Sequence, residues 1–419
     1  MTDQLKALWS FIDASADIAI DLQRELCKHP ALSPANGGEG ELDKAEFLSL
    51  WLRAQGIENI ERFDCPCEGA KEGIRPSLVA TIPGEDEAPG APRLWIMSHL
   101  DVVPPGELSL WKSDPWVLEV QEGPQGKMIV GRGVEDNQQA ITASCLAALA
   151  LVKQGVRPSR TLKLLFAADE ENGSVYGLQW LIKTYPDLFQ KNDLVLIPDS
   201  GDPEGRAIEI AEKNHLWIKC ITRGRQAHAA MPDKGTNAYV AGADLTVQLY
   251  YGLAQKFSET DPLFDPDCST FQPTKKEPNV PNINTIPGED VFYVDMRILP
   301  RHPVDDVIKE VERIKTEVEV KHGVLITCEV GMRNESPPTS PDSALVTELA
   351  RHVEEVYGVK TRPVGIGGGT FAAFLRKEGI DCAVWARIEG SAHQPNEYGL
   401  VRNILGDAKV MASLALGKE

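Results

Sequence analysis

Two histidines and a set of carboxylates stand where apolar runs stop. His99 and Asp101 lie in "MSHLDVV", Asp136 in "GRGVEDNQQA", Asp169, Glu170 and Glu171 in "LKLLFAADEENGS", Asp199 in "LVLIPDSG" and His393 in "SAHQPNEYG". Singly, each is weak: acids opening a helix complement its dipole, and a lone Asp or His in a loop caps a turn. Together, imidazole and carboxylate without thiolate are the donors that hold zinc, manganese or cobalt in a hydrolytic site. Residues two apart on a strand face the same way, so Asp101 can lie behind His99 and accept its other ring N–H. Two histidines and three acids suffice for two cations sharing one carboxylate. Such pairs, ~3.5–4 Å apart, generate a nucleophile from water and stabilise developing negative charge. The acids at 169–171 pose a problem of their own, since a buried carboxylate needs a positive partner or shifts its pKa.

The elements that must position these residues alternate. "SLVATIPG", "RLWIMSHLDVV", "TLKLLFAADEE" and "DLVLIPDSG" read as strands, and "QQAITASCLAALALVKQG" as a helix closed by Gly155. That alternation predicts an α/β fold with a mostly parallel sheet, whose ligands sit beyond the carboxyl ends of the strands. From about Ile208 the texture changes. "AIEIAEKNHLWIKCITRG" reads as one antiparallel strand, followed by two helical and two further strand patterns, before α/β texture returns. The expected organisation is a catalytic domain of residues 1–211 and 333–419, interrupted by an α+β insertion at 212–332.

Composition narrows the function classes. The 419 residues carry 62 acids against 43 bases, a net charge of -19, so the basic footprint of a nucleic-acid binder is absent. No run approaches the ~18–20 apolar residues of a membrane span. The N-terminus reads as an amphipathic helix rather than a signal peptide, and the eight scattered cysteines as reduced thiols, which together predict a cytoplasmic protein. Cys65-Pro66-Cys67 lacks the second pair of a structural zinc site. "GIGGGT" lacks the G-K-[ST] of a phosphate-binding loop.

In order along the chain stand H-x-D, G-R-G-x-x-D, D-E-E-x-G-S, a strand-end D-S-G, A-H-A-x-x-P-x-x-G-x-N-A, N-x-I-P…D-x-R, G-G-G-T and a late His. With these blocks the sequence resembles the M20 metallopeptidases, the clan of carboxypeptidase G2, aminoacylase-1, succinyl-diaminopimelate desuccinylase and PepV-type dipeptidases. The resemblance implies a zinc-peptidase-like catalytic domain and an inserted lid that also dimerises. It implies two Zn2+ ions, with Co2+ or Mn2+ as substitutes, bridged by Asp136. His99 and Asp199 would complete one ion's ligands, and Glu171 with His393 the other's. Glu170 would be the general base, Asp101 would support His99, and Asp169 would hold the turn. His228, in "GRQAHAAMPDKG", would reach the partner subunit's site and stabilise the oxyanion. Asn284 and Arg297 would bind substrate, the guanidinium fork suiting a free carboxylate. Gly368, Gly369 and Thr370 would let backbone N–H groups approach that carboxylate.

The chain also departs from the family. Asn137-Gln138-Gln139 stand where many members have D-K-G or x-K-G, Ser98 precedes the histidine in place of Gly, and Phe371-Ala372-Ala373 follow the Gly-rich turn. The family pattern implies a cis peptide at Asp136–Asn137. The expected activity is hydrolysis of a peptide bond in a small peptide bearing a free carboxylate, by a homodimer. The alternatives are an N-acyl amino acid amidohydrolase and a non-catalytic binding relative, against which the retained Glu170 and full ligand set argue.

Overall fold

A computed structural model describes residues 1–417. The chain folds as two compact units, one of Met1–Ile210, Thr339–Pro363 and Thr370–Glu419, the other of Ala211–Pro338 and Val364–Gly369.

The first unit is built on a mixed sheet whose strand order is Ile60–Pro66, Ile74–Ile82, Leu162–Ala167, Leu94–His99, Leu194–Asp202, Cys382–Arg387, Ala207–Glu212 and Arg362–Ile366. Its four middle strands are mutually parallel. They are short apolar runs buried on both faces, as a parallel sheet covered by helices demands. Register then does the positioning. His99 pairs with Ala167, and Ile96 pairs with Leu196 on the other side. Beyond Leu196 that strand carries on to Asp199, whose Oδ1 lies 3.4 Å from His99 Nε2.

The helix Gln138–Gln154 has no polar stripe, and almost all of it is buried. A helix apolar all round must lie inside, and this one packs between the sheet and the helix Val401–Leu416. It ends at Gly155, whose φ of 62° is the left-handed conformation that glycine adopts freely. The N-terminal amphipathic pattern forms two helices, Asp3–Asp13 and Ala16–Cys27. Ser15 separates them, its hydroxyl donating to the Phe11 carbonyl.

The second unit is a four-stranded antiparallel sheet in the order Thr270–Lys276, Glu289–Ile298, Asn214–Arg223, Leu325–Asn334. Alternation puts Leu216, Ile218 and Cys220 on one face with Phe292, Val294 and Met296 of the neighbouring strand, under apolar residues of the helices Ala238–Lys256 and Val304–His322. The strand expected to run unbroken from Ala207 divides at Lys213, whose ammonium turns inward to the Pro266 and Cys268 carbonyls, 2.7 Å from each. The Gly-rich segment, expected in the first unit, belongs with the second through Val364–Gly369. Lys213 N–H binds the Ile366 carbonyl (2.9 Å), and Gly365 N–H binds that of Leu263 (2.6 Å).

The core of the parallel sheet predicts its own sensitivity. Leu165, wholly buried between Val79 and the His99 strand, should cost ~2–5 kcal/mol when replaced by Ala. Urea unfolding followed by circular dichroism measures that loss.

Candidate metal centre

All five metal-capable residues of the sequence reading meet in the first unit. His99, Asp136 and Asp199 form one triad and Asp136, Glu171 and His393 another, the ligating atoms of each lying within 4.8 Å of one another. Asp136 belongs to both because its two oxygens face opposite ways. Its Oδ1 is 3.0 Å from His99 Nε2, and its Oδ2 is 3.0 Å from His393 Nε2. Asp199 Oδ1 lies 3.4 Å from His99 Nε2, and Glu171 lies 3.2 Å from His393 Nε2. An imidazole nitrogen with two carboxylate oxygens in each triad, and no thiolate, is a donor set that fits a divalent cation.

The electrostatics call for positive charge. Burial works against a charged His99, yet hydrogen bonds that its ring donates to Asp101, Asp136 and Asp199 raise it well above the ordinary histidine value. Hydrogen bonds to Asp136 and Glu171 lift His393 to about 10. Burial also opposes ionisation of Asp136, but the two imidazoles outweigh it and hold the carboxyl below its usual range. Glu170 goes the other way, pushed well up by burial and then by the negative charge of Asp199. Among the described residues its carboxylate has no hydrogen-bond partner, so its lone pairs are open.

Asp101 lies behind His99 and meets it through two groups. His99 Nδ1 is 2.9 Å from the Asp101 main-chain carbonyl and 3.4 Å from its carboxylate. The nearer acceptor fixes the tautomer that leaves Nε2 free for a ligand. The Asp101 carboxylate also accepts the N–H groups of Glu170 (3.0 Å) and Glu171 (3.1 Å). It therefore sets the turn that separates the two glutamates. Asp169 holds the start of that turn at a φ of 63°. Its counter-charge is Arg75, which also pairs with Glu41, all three side chains being 2% exposed or less. Tyr176 N–H adds a bond of 2.9 Å to Asp169.

Sequence reasoning missed Arg75, Glu41, Asn137, Glu135 and Glu397. Asn137 joins three elements: its Oδ1 accepts His99 N–H (3.3 Å), while its side-chain amide donates to Asp199 Oδ1 (2.6 Å) and the Pro198 carbonyl (3.1 Å). The peptide before it, Asp136–Asn137, is cis. Lys44 is buried behind the centre, with Nζ 2.9 Å from the Leu100 carbonyl and a pKa that burial lowers to about 8. Only the paired acids of "GVED" and the acid closing "HQPNE" were visible signals.

The remaining predicted residues are placed as follows. His228 and Asn284 are exposed neighbours in the second unit, joined where Ala229 N–H meets the Asn284 carbonyl (2.9 Å). Arg297, in the same unit, was expected to aim its fork at a substrate. It pairs with Asp295 at 2.8 and 3.1 Å, because a residue two back on a strand shares its face. The same guanidinium donates to the Gly367 carbonyl (2.8 Å). Gly368 and Gly369 are exposed on that turn. Thr370, in the first unit, is buried and accepts Ala372 N–H (3.1 Å), opening the helix Ala372–Lys377.

A model of the family described as peptidase family M20/M25/M40 matches residues 95–417. The chain belongs to that family. It is 36% identical over 413 residues to an uncharacterized metallohydrolase of Methanococcus maripaludis, covering 94% of this chain and 97% of that one. A succinyl-diaminopimelate desuccinylase of Xanthomonas campestris is 26% identical over 341 residues, covering 81% and 85%. A di-peptidase structure from Saccharomyces cerevisiae shares the fold, with a TM-score of 0.73, 17% identity and coverage of 99% and 98%. This M20 protein is thus a metallohydrolase and an enzyme. No described helix is long and apolar enough to cross a membrane.

The Arg75 cluster yields a stability prediction. Arg75→Met strands Glu41 and Asp169 as buried charges and should cost ~3–5 kcal/mol. Adding Glu41→Gln and Asp169→Asn should recover part of that loss in thermal unfolding.

Proposed function

We propose that this M20 metallohydrolase is a co-catalytic dinuclear zinc enzyme that hydrolyses the peptide bond of a small peptide bearing a free carboxylate. The division of the two Asp136 oxygens between two triads carries the proposal. His99, Asp136 and Asp199 would hold one cation, and Asp136, Glu171 and His393 the other. Zinc, or cobalt or manganese in its place, would there supply a more acidic water and draw electron density from the scissile carbonyl.

The protein's own part is proton handling and orientation. Glu170, with its lone pairs open, takes a proton from the attacking water and returns it to the leaving amine. Asp101 keeps Glu170 off the ligand positions by holding the main chain of both glutamates. Asn137 fixes Asp199 against the His99 strand. In the second unit, His228 and Asn284 carry exposed polar groups suited to the oxyanion and the substrate. Arg297 and the exposed Gly368 and Gly369 of the Gly367 turn that it holds would receive the substrate carboxylate.

A homodimer is part of the same proposal. Tyr239, Val240, Val247 and Tyr251 leave apolar surface exposed along the helix Ala238–Lys256, as an interface between copies requires. All eight cysteines are free thiols, which supports a reducing cytoplasmic location. A second reading, hydrolysis of an N-acyl amino acid, draws on the likeness to the desuccinylase. A panel of dipeptides, tripeptides and N-acetyl-, N-succinyl- and N-carbamoyl-amino acids separates the two.

Glu170→Gln should keep both zinc ions by elemental analysis and lose ~10²–10⁴-fold in turnover. Zinc loss with intact turnover would remove the assigned role. EDTA should abolish hydrolysis and zinc, cobalt or manganese restore it, whereas chelator-resistant hydrolysis refutes the metal mechanism. His228→Ala mixed with Glu170→Gln should regain activity in exchanged heterodimers if His228 serves the partner's site. No recovery after demonstrated exchange sinks that assignment.

A further inference from the structure

Glu135 and Glu397 are buried acids to which the proposed reaction gives no part. Glu135 precedes Asp136 and Glu397 lies shortly after His393, and they are 3% and 0% exposed. Their hydrogen bonds run crosswise. Glu397 Oε1 accepts the N–H groups of Glu135 (2.9 Å) and Asp136 (3.0 Å). Its Oε2 accepts Gly133 N–H (2.9 Å) and an Arg132 guanidinium N–H (2.6 Å). In the opposite direction, Glu135 Oε1 accepts Glu389 N–H (2.5 Å). Its Oε2 accepts the N–H groups of Ser391 (2.5 Å) and Ala392 (3.1 Å), and lies 2.8 Å from Ser391 Oγ. The segment bearing Asp136 is thus gripped by an acid from the segment bearing His393, and the reverse holds as well.

We propose that Glu135 and Glu397 form a reciprocal latch that sets Asp136 against His393, which makes both of them positioning residues for the second cation position. The zinc arm of this inference rests on the dinuclear reading. The two triads differ in how they depend on such a latch. His99 ends one strand and Asp199 lies within its neighbour, and Asn137 joins the two. His393 sits in a loop at a φ of 62°, and among the described residues its ring meets only Asp136 and Glu171. Nothing but the loop's own anchoring fixes that imidazole.

The chemistry explains why acids stand here. All four carboxylate oxygens face N–H donors. A carboxamide, whichever way it is turned, points its NH2 at one of those donors. Glu→Gln therefore keeps the volume and breaks the latch.

The test uses the full-length protein and the variants Glu135→Gln, Glu397→Gln and Ser391→Ala. Hydrogen exchange of metal-free protein, read by mass spectrometry, should show each Gln variant losing protection in the opposite segment. Glu135→Gln should speed exchange at 389–392, and Glu397→Gln at 133–136. Calorimetric titration with Zn2+ should show two binding events in the wild type, one of them weakened ~10–100-fold in either variant and the other retained. Unchanged exchange in the opposite segments, or equal weakening of both zinc events, overturns the latch. A wild type that binds no zinc removes the dinuclear reading, while the exchange data still decide the latch. Should a Gln variant fail to fold, Ser391→Ala, which deletes one contact to Glu135, must weaken the same zinc event, and unchanged titration refutes the proposal.

Discussion

Negative charge crowded at the carboxyl edge of one sheet is the constraint on which the first unit depends. Two like charges 4 Å apart repel by about 4 kcal/mol at an effective dielectric near 20, and this edge gathers Asp101, Asp136, Glu170, Glu171 and Asp199 around two imidazoles. The sheet makes the crowding, because register sets His99 beside Ala167 and the neighbouring strand brings Asp199 Oδ1 to 3.4 Å from His99 Nε2. The fold answers with partners of fixed geometry. Arg75 neutralises Asp169, main-chain N–H groups serve Asp101, Glu135 and Glu397, and buried Lys44 lies behind Leu100.

The ligand-bearing strands were legible because each is an apolar run that stops at a polar residue, a pattern that period and hydropathy expose directly. The helix Gln138–Gln154 was legible for a similar reason, its apolar run being too long for a strand and ending in glycine. The second unit's helices and the strand Glu289–Ile298 followed from periodicity. The partners did not. Asp169 meets Arg75 across 94 residues of sequence, and Glu397 meets Asp136 across 261. A single sequence shows that charges exist, and no local rule says which will be buried together.

A further miss has a local cause. Lys213 interrupts what alternation reads as one strand, because its ammonium binds main-chain carbonyls inside the unit and no period-two pattern records that. Arg297 lies two residues after Asp295 on the same face, so an intrastrand pair competes with any ligand for its fork.

The acids of the first unit sort by the partner each one has. Asp101, Asp169, Glu135 and Glu397 are saturated by N–H groups or arginine, and a saturated carboxylate has no lone pair to offer a cation. Asp136, Asp199 and Glu171 face imidazole nitrogens, whose lone pairs are themselves potential ligands. Glu170 faces neither, and an acid held near a cluster of carboxylates without a donor is suited to moving a proton. The same side chain is thus tied down, set against an imidazole or left without a donor according to the groups around it. Composition cannot divide three consecutive acids among those roles, whereas the turn that Asp101 and Arg75 impose on residues 169–171 does so by sending each carboxylate to a different neighbour.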